Sequence, residues 1–140
     1  MVLRRCPKIA RRLVRGESGQ AMVEYALGLT VSLYLIMGVV DFGRAFYASN
    51  AIANTAREGA RYAAVSSHTT SQIISYATSK AVLDNLTVTV VSRGTAGDPS
   101  SPAVVQASYT FTPITPLIAQ ICCGGGSTTM NARSTMYVEY

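Results

Sequence analysis

The sequence predicts an α+β fold in which a long N-terminal helix packs on a small antiparallel β-sheet domain. Three observations carry that expectation. From Ala21 to Val40 runs a stretch of 20 residues in which Glu24 alone is charged. Helical spacing then continues beyond the apolar stretch to about Ala64. After residue 85 the texture becomes alternating Val, Thr and aromatic residues divided by Gly- and Pro-containing turns. The chain therefore reads as a basic leader (1–19), a long helix (20–64) and a small αβ domain (65–140).

Charge placement defines the first segment. The net charge of +5 resembles a nucleic-acid-binding balance, but all of it lies in the leader. Arg4, Arg5, Lys8, Arg11, Arg12 and Arg15 face only Glu17 there, and acidic and basic residues cancel from Gln20 onward. A basic tail directly before an apolar run is a topology signal that holds this end in the cytoplasm, so nucleic acid is not an expected partner.

The apolar run has the length of a single bilayer crossing, about 20 helical residues. Gly28, Thr30, Ser32 and Gly38 interrupt it only with small or hydroxylated side chains, which membrane helices accept. A cleaved secretory signal is the competing reading. Its apolar core is shorter, about 7–15 residues, and a small-x-small site is missing where "DFGRAF" follows. Beyond the run, Ala45, Ser49, Ile52, Ala56, Ala60 and Ala63 recur at three- or four-residue steps. They predict a narrow stripe of small side chains for close packing on the chain's own domain, on neighbouring helices, or on both. Asp41 with Arg44 and Glu58 with Arg61 have the i,i+3 spacing of surface ion pairs. A helix over Ala21–Ala64 is roughly 65 Å long at 1.5 Å per residue, so its second half must stand outside the bilayer.

The remaining elements follow in order. "SQIISYATSKAVLDN" (71–85) predicts a second helix with Ile73, Ile74, Ala77, Ala81 and Val82 inward. "LTVTVVS" (86–92) alternates as a strand, "RGTAGDPSSP" is a loop, and "AVVQASYTFTPI" (103–114) is a second strand. "TPLIAQICC" (115–123) suggests one helical turn before the flexible "GGG", and "STTMNARSTMYVEY" closes the chain as a strand or hairpin. A domain of about 75 residues is marginal alone, so the long helix is expected to supply one wall of its core.

Catalytic and metal-binding residues are not expected. His68 is the only histidine and lies in a polar connector, and the acidic residues are scattered singly. No metal-ligand spacing, phosphate-cradling loop or cofactor motif is present. Cys122 and Cys123 are adjacent, which is neither a disulfide framework nor a metal motif. A vicinal disulfide in an oxidising compartment is one reading. Two small apolar side chains near a turn is the other, and the general burial of free cysteine favours it. A structural rather than an enzymatic role is expected.

The stretch "GQAMVEYALGLTVSLYLIMGVVDFGRAFYASNAIANTAREGARYAA" closely resembles the TadE-like proteins, of the type IV pilin and pseudopilin group that serves the tight-adherence (Tad/Flp) pilus. The resemblance rests on a G-Q-x-x-V-E-Y/F-A start, D-F-G-R after the apolar run, and A-R-E-G-A-R-Y-A-A. Gly19, Glu24, Asp41, Phe42, Gly43, Arg44, Arg57, Glu58, Gly59, Arg61 and Tyr62 lie on that pattern. It covers residues 16–64, about a third of the chain. Relatives often carry a proline about ten residues into the mature helix, where this chain has Thr30.

The resemblance implies a type IV pilin-like fold and cleavage between Gly19 and Gln20 by a prepilin peptidase. It also implies assembly through Glu24 and Tyr25 into a pilus that supports adherence. Other pilin subunits, an assembly ATPase and a membrane platform are the implied partners. The implied location is the cytoplasmic membrane, N-terminus inward, and then a pilus or the cell surface. The chemistry of the cut stands beside the resemblance. Cleavage removes the basic leader and creates an α-amino group, with Glu24 as the fifth residue. A carboxylate within lipid is costly, about 2.5–3.5 kcal/mol near a helix centre and less toward the ends. The amine of its own chain lies roughly 6–8 Å away along the same helix, so a neighbour's amine, shifted axially, is the better partner. The competing fate for Glu24 is snorkelling to the headgroups. The competing function is a permanently anchored single-pass protein with an external binding domain.

Overall fold

The computed structural model describes residues 10–65 and 67–138, with side chains from Gly19 onward. Residues 1–9 of the expected leader, among them Cys6, and the terminal Glu139 and Tyr140 lie outside the described residues. The elements are α1 (Ala10–Ala63), α2 (Thr70–Ser79), β1 (Thr87–Arg93), β2 (Ala103–Phe111), α3 (Pro116–Cys123) and β3 (Thr128–Met136). The chain divides into two compact units, Met1–Val39 and Val40–Tyr140.

The first unit is helical over its described length, and its apolar side chains point outward. Leu27, Leu29, Leu33, Leu35 and Ile36 are all exposed. The two hydroxyls within the run are satisfied locally. Thr30 Oγ1 donates to the Ala26 carbonyl at 2.8 Å, and Ser32 Oγ to that of Gly28 at 2.8 Å. Such i−4 bonds remove the polar cost of a hydroxyl in an apolar surrounding, and α1 continues through Thr30 unbroken.

In the second unit the C-terminal part of α1 forms a wall of the core, with a three-stranded antiparallel sheet in the order β1-β2-β3. β2 is the centre. Ala103, Val105 and Ala107 alternate inward along it, as period-two spacing dictates. They pack with Ile52, Ala56, Ala60 and Ala63 of α1 and with Ile73 and Ala77 of α2. β1 contributes Val88, with Leu86 and Val90 half-buried on the same side. Its register with β2 shifts at a bulge between Val90 and Ser92, which leaves Val91 exposed.

Several details differ from the expectations. The buried stripe of α1 uses Ala48 rather than Ser49, and it includes Asp41, Thr55 and Gly59. α2 stops at Ser79, so Val82 is exposed, and Leu83 packs against the core in its place. The chain turns there through Asn85, whose φ of 60° lies in the left-handed region that asparagine tolerates. β2 ends at Phe111, two residues before Pro113, which has no N–H for the ladder. Residues 116–123 form two helical turns rather than one, started by Thr115 and Pro116 and stopped by Gly124 at φ 59°. Of the two forms expected for the C-terminal segment, the strand is the one found: β3 pairs with β2 from Thr128 to Met136.

Candidate functional site

The sequence motifs fall at three places along α1. The first group holds Gly19, Gln20, Glu24 and Tyr25, all helical and all exposed. The peptide bond of the expected cut lies within α1. Nothing among the described residues covers this group.

The second group is Asp41, Phe42, Gly43 and Arg44, and its geometry was not foreseeable from spacing. Asp41 is 2% exposed. Its Oδ1 accepts from Arg44 Nη1 at 3.0 Å and from the Ile114 N–H at 3.0 Å, and its Oδ2 accepts from the Thr115 N–H at 2.7 Å. The carboxylate thus clamps the start of α3 to α1. Thr115 occupies the N-cap without making a side-chain cap bond, and its hydroxyl is buried and unpartnered. A carboxylate from a distant part of the chain therefore supplies the negative charge that favours a helix start. These bonds hold the Asp41 carboxyl at about 2, below its ordinary 3.8. The Ile114 N–H is the largest cause; burial opposes it, and the Thr115 N–H and Arg44 reinforce it. The Arg44 guanidinium also lies 5.4 Å from the centre of the Phe111 ring. Phe42 is 72% exposed, and a Cβ at Gly43 would meet nothing within 4 Å. Val40, Gly43, Arg44, Tyr47, Leu83 and Phe111 contribute to the lining of an open groove of about 470 Å³.

The third group is Arg57, Glu58, Gly59, Arg61 and Tyr62. Gly59 has a clear steric reason. A Cβ there would lie 2.9 Å from Val105 Cγ1 and 3.1 Å from Ala77 Cβ, so glycine is what lets α1, α2 and β2 approach at this point. Tyr62 stacks on both Tyr76 (ring centroids 4.2 Å apart) and His68 (3.8 Å). His68 is therefore held against an aromatic face rather than free in a solvated loop. Arg57 and Arg61 are exposed. Glu58 and Arg61 do not meet as an ion pair; among the described residues the only such contact is Asp41–Arg44. Cys122 and Cys123 end α3 with their sulfurs in disulfide contact. Among the described residues no cluster of three or more His, Cys, Asp or Glu side chains could hold a metal ion.

A helix with the length and composition to cross a bilayer, none of whose apolar window is buried in its own chain, has the make-up of a membrane anchor. Its C-terminal part is the wall of a small α+β domain. Residues 19–61 match the family model described as TadE-like protein, a span that takes in the first two motif groups and all of the third but Tyr62. No curated protein and no solved structure matches the chain.

Proposed function

We propose that the protein is a minor pilin or pseudopilin of a Tad-type pilus and a structural subunit rather than an enzyme. In this reading it is made as a membrane-anchored precursor with its basic end in the cytoplasm. A prepilin peptidase cuts it between Gly19 and Gln20, and the mature chain assembles through α1. An assembly ATPase, a membrane platform and a major pilin are its working partners, and adherence is the outcome. The observation that supports this most is the apolar face of α1, exposed over its whole membrane-length window. Such a surface is stable in lipid or against other apolar helices and unstable in water.

Glu24 gives assembly its register. It lies exposed on α1, and within its own helix the new amine at Gln20 is poorly placed to meet it. Pairing with the Gln20 amine of a neighbour neutralises both charges as subunits leave the bilayer, and it fixes the axial offset more than it adds net stability. Glu24→Gln is therefore expected to insert in the membrane at the normal level and to be depleted from sheared fibres. Normal incorporation of that variant removes the pairing from the mechanism.

A further inference from the structure

The order of elements along α1 shows which end of the domain holds Val40, where the chain enters it. Val105 packs at Gly59, Ala107 in one cluster with Ile52 and Ala56, and Phe111 beside Arg44. β2 thus runs antiparallel to this part of α1, and the connection from β2 through α3 to β3 forms the end of the domain next to Val40. Asp41, the first residue after the apolar run, holds the backbone of Ile114 and Thr115 directly.

That connection is unusual for a surface exposed to water. No charged residue occurs between Asp98 and Arg133. α3, "PLIAQICC", buries none of its eight residues. Ile114, Leu117 and Ile121 are 56%, 53% and 78% exposed. On α1, Phe42, Phe46 and Tyr47 are exposed within two turns of Val40, the depth at which aromatic side chains settle at a membrane boundary. Asp41 and Arg44 are the charged residues next to Val40 and pair with each other. Of the others after α1, Lys80 and Asp84 precede β1, Arg93 ends it, Asp98 follows in the loop and Arg133 is on β3.

We propose that α3 is a second membrane contact. Ile114, Leu117 and Ile121 sit in the boundary between headgroups and acyl chains, next to the point where α1 leaves the bilayer, and the Asp41 clamp fixes α3 there. An uncharged apolar helix held at a lipid exit meets lipid before any other apolar surface. Before assembly, the contact holds this end of the domain on the bilayer surface. The inference rests on the anchoring of α1 proposed above.

The chain has no tryptophan, so a single introduced one reports its own surroundings. The full-length variants Ile121→Trp, Leu117→Trp, Leu35→Trp and Val91→Trp are reconstituted in phosphatidylcholine–phosphatidylglycerol vesicles, with and without brominated acyl chains. Acrylamide serves as the aqueous quencher. The tryptophans at 121 and 117 are expected to emit to the blue, to lose most of their emission to brominated lipid and to resist acrylamide. Val91→Trp, on exposed β1, reports the water-facing behaviour. Quenching at 121 and 117 by acrylamide but not by lipid overturns the proposal. Protection from both quenchers also overturns it, because another protein copy then covers α3. Leu35→Trp separates the two readings: if brominated lipid leaves it unquenched, the anchor itself is wrong.

Discussion

Asp41 and Gly59 illustrate how far single residues could be understood from the sequence. The i,i+3 spacing of Asp41 and Arg44 is visible in the chain and suggests a surface pair. The bonds that bury Asp41 come from backbone 73 and 74 residues away, which no local pattern encodes. Because folding depresses its pKa, Asp41 stabilises the fold above the unfolded value near 3.8, and that contribution is lost as pH falls toward 2. Thermal unfolding followed between pH 6 and 2 is expected to show wild type losing stability below pH 4. Asp41→Asn starts less stable and shows a shallower acid dependence. Gly59 and Gly43 separate two uses of glycine within the motifs. Gly59→Ala forces a methyl group against Val105 and Ala77, and a denaturant midpoint should record a loss of about 1–3 kcal/mol. Gly43→Ala meets open space and should hold or raise stability, by up to about 1 kcal/mol from helix propensity.

Elements were more legible than contacts, because periodicity is written locally. Alternation placed β1 and β2, and the three- or four-residue spacing carried α1 from the apolar run into the domain. α2 is shorter than its apolar pattern suggested: it stops at Ser79, where the Ala81 N–H already bonds the Thr78 carbonyl in place of an i−4 partner. Its start is marked by Thr69 and Gln72, which form a reciprocal capping box. Thr69→Ala should therefore lower stability by about 0.5–2 kcal/mol in chemical unfolding, without altering membrane insertion. α3 was underestimated although its signals are present: Thr115–Pro116 at the start and Gly124 at the stop bracket two full turns. What the chain pattern lacked was a reason for an uncharged helix with no fully buried residue to stay folded, and the Asp41 clamp supplies it.

At the scale of the whole molecule, one helix serves two environments. Its C-terminal part packs Ile52, Ala56, Gly59 and Ala60 into the domain core, where small side chains allow close approach. Its N-terminal part exposes a membrane-length apolar surface. The α+β architecture, a long helix on a three-stranded antiparallel sheet, was readable from composition and spacing. The role of the first group was not readable from the fold, because nothing among the described residues covers it. The most direct measurement is the intact mass and first residue of the protein recovered from sheared surface fibres. A mature chain beginning at Gln20, lighter by residues 1–19, is the predicted result. Protein that begins at Met1 in those fibres, or that stays at full mass in the membrane and never reaches them, contradicts the account.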